Sequence, residues 1–304
     1  MTTEYFSENA SSFTGQILFD EPLKKHTYYR IGGPARVLAV PKSMDDLAWI
    51  SRAIQVTKTP YFILGQGSNL LVSDAGFDGL VVKAARVNQE VTLIAEDRLR
   101  VGASVAVSSL LRRGTQEGWG GLEFLTGIPG SVGGVVVMNA GTHLGEAKDR
   151  ILKVEVFQLS NGKTCVFEND VLQFQYRKNL FLPVDGLVTS TEWKIEKRDP
   201  AAVKAIVDET LARRKASQPV DYPSCGSVFK NPREHMIHAW HVIEKLGLRG
   251  HRIGRAQFSE KHPNFIINLD HATAADVKAL IELAKSRARD ELGIVLEEEV
   301  RHLG

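Results

Sequence analysis

Two glycine-rich stretches are the first places in this chain where the backbone could do chemistry. Gly65-Gln66-Gly67-Ser68-Asn69-Leu70 follows the apolar run Tyr61 to Leu64, so consecutive amides at the end of a predicted strand could cradle a phosphate. The second, Gly127-Ile128-Pro129-Gly130-Ser131-Val132-Gly133-Gly134, precedes an apolar run that ends in Asn139-Ala140-Gly141 and can present amides to a pyrophosphate. Leu70 occupies the place of the third glycine of a dinucleotide fingerprint, which disfavours a Rossmann site. The second loop lacks the lysine and hydroxyl residue of a Walker A motif, which disfavours a magnesium-triphosphate site. The bland alternatives are a strand-end turn and glycines that merely permit close packing of a short helix. Two such loops in successive α/β units point to a long ligand with two phosphates, such as a dinucleotide.

The candidate side chains are fewer. Arg177, in Tyr176-Arg177, suits bidentate carboxylate binding. Ser227 sits beside Gly226, which permits close substrate approach, in a run that also holds Lys230 and Asn231. Glu297, Glu298 and Glu299 precede Val300-Arg301, and strand alternation places Glu297 and Glu299 on one face. Taken singly, these are a surface arginine, a loop serine and a solvated strand edge. Cys225 has no histidine placed beside it by sequence and reads as a packing residue. His235, His238 and His241 spread over about 120° of a helix and lack the HExxH pattern, so no metal site is assigned. Arg213-Arg214-Lys215 in a last helical turn complements the macrodipole.

These residues must be positioned by an alternation of strands and helices. Val37 to Val40, a helix from Ser43 to Gln55, Tyr61 to Leu64 and Leu80 to Lys83 make a βαβ rhythm, with Ser43 and Asp46 at capping-box spacing. Val91 to Ala95, Arg98 to Gly102 and a helical stretch from Val105 to Gln116 open a second unit. From Gly120 to Gly145 there are 8 glycines in 26 residues, which argues against regular structure. Ile151 to Leu159, the Asn161-Gly162 turn and Lys163 to Phe167 read as a hairpin, and Leu187 to Lys197 as a further strand. Asp199-Pro200 starts a helix to about Ala216. Beyond it come a predicted strand at Ser227 to Lys230, a helix around His238 to Leu246, strands near Ala256 to Ser259 and Phe265 to Leu269, a long helix from a Thr273/Asp276 capping box to Gly293, and a terminal strand. The chain divides as 1–19, a loose polar arm, then 20–88, 89–198 and 199–304, in an α+β class.

Composition removes other classes. With 43% hydrophobic and 24% charged residues the chain is ordinarily globular, which excludes disorder and coiled coil. The balance of 38 Lys and Arg against 36 Asp and Glu leaves +2, far from the basic footprint of a nucleic-acid binder. No window approaches a membrane span, the N-terminus lacks a signal peptide, and two distant cysteines suggest neither disulfide framework nor zinc site. A reducing, cytoplasmic setting without an obligate protein partner is expected.

Read together, Tyr29 to Ala35, Gly65 to Leu71, Gly127 to Gly141, Tyr176-Arg177, Gly226 to Pro232, Ser259 to Asn268 and Glu299-Val300-Arg301 closely resemble the UDP-N-acetylenolpyruvoylglucosamine reductase family, flavoenzymes of peptidoglycan precursor synthesis. The resemblance runs in order from about residue 20 to the C-terminus. It implies an FAD-binding fold of the vanillyl-alcohol-oxidase type in two subdomains, 20–88 and 89–198, and a substrate domain, 199–304. It also implies NADPH as reductant, hydride delivery from flavin N5 to C3 of UDP-N-acetylglucosamine enolpyruvate, and a proton to C2 from Ser227. Arg177 and Glu299 would stabilise the enediolate, with Glu297 the other register. Tyr176, Lys230 and Asn231 would hold substrate. Arg30, Ile31, Gly32 and Gly33 would hold FAD together with Gly65, Gln66, Gly67, Ser68, Asn69, Leu70, Gly127, Ile128, Pro129, Gly130, Ser131, Gly133 and Gly134. The sequence departs from the family at Glu234 to His241, richer in histidine and bulk, and at Arg255, where a glycine is usual. The short loop from Arg177 to Leu187 looks like the subtype without a long substrate-covering insertion. Another flavoprotein oxidase or dehydrogenase of the same fold, and a nucleotide-binding regulator without turnover, are the competing readings.

Overall fold

The computed structural model describes residues 2–168 and 171–304; Met1 of the arm and residues 169 and 170 of the second subdomain lie outside the described residues. The structure divides into two compact units that interleave along the sequence. The first comprises Met1–Phe19, Arg36–Gln66 and Gly79–Ala212, and the second Asp20–Ala35, Gly67–Asp78 and Arg213–Gly304.

In the first unit, β1 (Gln16–Pro22), β2 (Pro34–Val40), β3 (Tyr61–Leu64) and β5 (Phe77–Lys83) form a sheet of order β1-β2-β5-β3, with β3 and β5 parallel. The helix α2 (Met44–Thr57) starts where expected: Ser43 Oγ accepts from Asp46 N at 3.1 Å. Leu47, Ile50 and Ala53 are fully buried against this sheet. A second, five-stranded antiparallel sheet has the order β12-β11-β15-β7-β6, from β6 (Val91–Ala95), β7 (Arg98–Gly102), β11 (Ile151–Gln158), β12 (Lys163–Glu168) and β15 (Gly186–Lys194). It packs with α3 (Val107–Glu117) around the fully buried Trp193. Phe157, Leu159 and Leu187 of the second sheet region join the core of the first sheet, so the two sheets behave as one unit. Two-stranded pairs β8 (Trp119–Gly120) with β16 (Glu196–Lys197), β9 (Gly141–Thr142) with β10 (Gly145–Glu146), and β13 (Phe174–Gln175) with β14 (Lys178–Asn179) complete it, followed by α5 (Pro200–Ser217).

The second unit holds α6 (Ala239–Lys245), α7 (Ala274–Leu292) and a sheet β17 (Arg252–Ile253), β18 (Ala256–Phe258), β19 (Ile266–Asn268). Earlier chain is drawn into its core. Tyr29 is fully buried and donates its hydroxyl to Ile266 O at 2.9 Å, Asn268 Nδ2 donates to Tyr29 O at 3.0 Å, and β4 (Leu70–Val72) pairs in parallel with β20 (Arg301–Leu303). The α7 capping box forms between Thr273 and Asp276, and Asp74 adds a second cap by accepting from Ala274 N and Ala275 N at 2.8 and 3.0 Å.

Four expectations change. The terminal strand β20 begins only at Arg301, so Glu297 to Glu299 lie outside it, with Glu298 in a single bridge, and strand alternation does not set their faces. The N-terminal arm is not loose: α1 (Thr2–Glu8) buries Phe6 completely, 5.6 Å from the Trp49 ring, and Trp49 Nε1 donates to Asn9 O. Burying one such side chain stabilises by about 1.5–3 kcal/mol, which polar composition alone conceals. The glycine-rich tract does hold a helix, α4 (Val132–Met138), because Ser131 caps it and the two glycines confine themselves to its first turn. Ser227 to Lys230 is not a regular strand; it makes single bridges Ser227↔Phe265 and Phe229↔Glu298. Among the described residues no helix is long and apolar enough to cross a membrane, and no group of His, Cys, Asp or Glu could hold a metal ion.

Candidate active site

In the first unit the glycine loops converge on Ser131. A Cβ built on Gly65, directly after β3, would meet only Ser131 Oγ at 3.3 Å, and one on Gly134 would meet only the same atom at 3.7 Å. Gly134 is exposed and Ser131 Oγ accepts from its amide at 3.5 Å. Gly133 is different: its Cβ would lie 3.2 Å from Ala103 Cβ, and its N–H donates to Ala103 O, so it serves packing. The exposed edge is therefore bare backbone at Gly65 and Gly134 beside one hydroxyl, chemistry that fits an extended diphosphate-bearing cofactor such as FAD. Gly127 and Gly130 take left-handed φ of 74° and 118° that let the Ile128-Pro129 loop turn onto α4, and Gln66 ends the segment that Gly65 opens. Gly134→Ala is expected to leave the thermal midpoint of the apoprotein unchanged, since the new methyl meets only ordinary contact, yet to weaken FAD binding about tenfold. Isothermal titration of apoprotein with FAD checks this.

The same unit carries Tyr176-Arg177 as the two-residue turn between β13 and β14. Arg177 has a left-handed φ of 56°, a conformation costly for a non-glycine residue and concentrated at functional sites. Its guanidinium lies 5.0 Å from the Tyr176 ring centroid, and Nη2 donates to Gly141 O at 3.3 Å.

The second unit holds the other candidates. Arg30 is also left-handed (φ 56°) in a turn closed by Arg30 N to Thr27 O and Thr27 Oγ1 to Ile31 O. Gly32 and Gly33 admit close chain approach, since a Cβ on Gly33 would lie 2.2 Å from Asp74 O and one on Gly32 2.6 Å from Val72 Cβ. Gly67 likewise packs on His26 O, and its carbonyl accepts from Tyr28 N. These three glycines are needed for the chain itself, whatever else they hold. Ser68, Asn69 and Leu70 continue from Gly67 into β4.

The residues directly after Ser227 are gripped from both sides. Val228 N donates to Asn264 O, Phe229 N donates to Asn264 Oδ1, and Asn264 Nδ2 donates back to Phe229 O at 2.9 Å. On the other side Glu299 N donates to Val228 O and Lys230 N to Glu297 O, both at 2.8 Å. Gly226, with φ 79° and open space about its Cβ position, is required by conformation and leaves room beside Ser227. Asn231 Oδ1 accepts from Ala239 N, the first residue of α6, at 3.0 Å. The three glutamates separate by partner. Glu297 is 70% exposed at its side chain and pairs with Lys230 Nζ at 3.0 Å. Glu298 is held by His302 at 2.6 Å and Lys285 at 3.1 Å, and the His302 contact pulls its carboxyl below the usual range. That pairing contributes stability above the ordinary carboxylate pKa and loses it as pH falls through the depressed one. Glu299 is half-buried, and Asn69 clamps its backbone: Nδ2 donates to Glu299 O at 2.9 Å and Asn69 O accepts from Arg301 N. Asn264 was missed as a supporting residue; its place within the Ser259 to Asn268 motif was the available signal. Cys225 is buried, its thiol pKa is pushed up by burial, and its Sγ donates to Leu70 O, as a packing residue would.

An open glycine edge on an α+β fold fits the class of FAD-binding oxidoreductases, the class that the matched family models show. Residues 35–168 match the profile of an FAD binding domain, and residues 218–303 match UDP-N-acetylenolpyruvoylglucosamine reductase, C-terminal domain. The chain belongs to the UDP-N-acetylenolpyruvoylglucosamine reductase family. It is 40% identical to that reductase from Geobacter metallireducens over 304 residues, covering 100% of this chain and 99% of the relative. It is 41% identical to the Geobacter sulfurreducens reductase, covering 95% of each. The crystal structure of the reductase (MurB) from Thermus caldophilus superposes with a TM-score of 0.81 at 36% identity, covering 95% of this chain and 99% of that one. The chain is thus an FAD-containing oxidoreductase of peptidoglycan synthesis that reduces the enolpyruvyl UDP-sugar.

Proposed function

We propose that the cytoplasmic reaction uses NADPH as reductant and converts UDP-N-acetylglucosamine enolpyruvate to UDP-N-acetylmuramate, with Ser227, Arg177 and Glu299 as its catalytic side chains. Residues 20–88 and 89–198 serve the cofactor and 199–304 the UDP-sugar. FAD, when bound, supplies the hydride that arrives at C3 of the enolpyruvyl group. Everything else falls to the protein. Arg177 faces the substrate carboxylate with a planar donor pair, and together with Glu299 it stabilises the enediolate that develops there. Ser227 Oγ–H then protonates C2. A serine is a weak acid, so it works only when held rigidly against a strongly basic carbon. The observation that supports this reading is that Val228, the residue after Ser227, accepts at its carbonyl from Glu299 N. Tyr176, Lys230 and Asn231 hold substrate; Arg30 to Gly33 and the two glycine loops hold FAD.

The test is the visible spectrum under anaerobic conditions, as purified, after NADPH and after UDP-N-acetylglucosamine enolpyruvate. Bleaching by NADPH followed by recovery with the UDP-sugar is expected. Bleaching without recovery, or no flavin after reconstitution, overturns the proposal.

A further inference from the structure

Asn139 closes α4. Its φ is 41°, Asn139 N donates to Val136 O at 3.1 Å and Ala140 N to Val135 O at 2.9 Å, the two bonds of a Schellman ending. Such a position selects glycine or asparagine, and glycine would serve the backbone as well. The asparagine side chain does something more. It is fully buried, and its three hydrogen bonds leave the helix: Nδ2 donates to Gln175 O and to Glu146 Oε2, each at 3.0 Å, and Oδ1 accepts from Lys148 N at 3.0 Å.

Gln175 is the residue before the Tyr176-Arg177 turn. The strand after the turn is tied to the same helix, because Asn179 Nδ2 donates to Val137 O at 2.7 Å. The guanidinium of Arg177 reaches Gly141 O, two residues past Asn139. Both legs of the hairpin and the tip of its functional side chain are therefore referred to the end of one short helix. The first turn of that helix carries Gly133 and Gly134, and seven residues at 1.5 Å each set the two ends about 10 Å apart.

We infer that Asn139 is a positioning residue for Arg177: it locks the strained turn to α4, so the helix that carries the glycine edge also fixes where the guanidinium stands. Without the Gln175 anchor, the leg of the hairpin before Arg177 loses its tie to α4, and the turn that carries the left-handed φ is free to shift and aim the side chain elsewhere. The inference rests on the proposed role of Arg177 in the substrate half-reaction.

The experiment is a stopped-flow double-mutant cycle on FAD-loaded enzyme with Asn139→Gly, Arg177→Gln and the pair. Glycine keeps the left-handed helix end and removes only the side chain. Asn139→Gly should keep its FAD content and its rate of reduction by NADPH within about twofold, while reoxidation at saturating UDP-sugar slows roughly tenfold, as a small misplacement does. The pair should be no slower than Arg177→Gln alone. Multiplying losses in the pair, equal slowing of both half-reactions, or wild-type reoxidation in Asn139→Gly would overturn the inference. If Asn139→Gly does not fold, Asn179→Ala, which removes the Val137 anchor, enters the same cycle with the same expected readings. A wild-type rate in Arg177→Gln overturns the role of Arg177 and everything built on it, and so is told apart from failure of the clamp alone.

Discussion

Replacing Ser227 by alanine is expected to leave reduction of the flavin by NADPH within about twofold of wild type and to slow its reoxidation by the UDP-sugar about 10³-fold, within the range general acid catalysis supplies. The asymmetry is the diagnostic part. Ser227 lies on a segment whose main chain is held by Asn264 on one side and by Glu297 and Glu299 on the other, so loss of one hydroxyl leaves the frame standing. A proton on C2 is needed only after hydride reaches C3, which confines the effect to the second half-reaction. Cysteine at this position has a lower thiol pKa than serine's hydroxyl and nearly the same shape, so Ser227→Cys should recover part of the lost rate. Rapid-mixing absorbance at the flavin band measures both halves in one preparation, and equal slowing of the two would remove Ser227 from the proton transfer.

The second large effect separates the neighbouring glutamates. Glu299→Gln should slow the same half-reaction about 10²-fold, the loss typical of removing one group that stabilises a developing oxyanion. Glu297→Gln should change it less than about threefold, since an exposed ion pair contributes little and its carboxylate is already occupied by Lys230. Glu298 is committed to Lys285 and His302 and acts on stability instead. Comparable losses in the Glu297 and Glu299 variants would sink the assignment of Glu299.

The largest elements were legible because their determinants are local. Ser43 and Asp46, three residues apart, fix the start of α2, and Thr273, Asp276 and Gly293 fix both ends of α7. The glycine loops were legible for the same reason: a left-handed φ or a backbone edge without Cβ shows directly as glycine in the sequence. Arg177 at φ 56° shows the limit of that rule, because here tertiary contacts hold a conformation that the residue type disfavours.

By itself the sequence determined the αβ rhythm, the caps, the two glycine loops and the ordered motifs that mark the family, all set by interactions within a few residues or by residue identity alone. Tertiary structure decided what depends on distant partners. Phe6 had to meet Trp49 before an acidic, polar arm could become a buried helix. Tyr29 had to reach Ile266, and Leu70 to Val72 had to pair with Arg301 to Leu303, before two early segments joined the C-terminal core. Three consecutive glutamates are chemically identical on the page of a sequence; Lys230, Lys285, His302 and Asn69, brought up from tens to hundreds of residues away or one turn along, give each a different fate. Burial and hydrogen bonding are properties of neighbours in space, and only the folded chain supplies those neighbours.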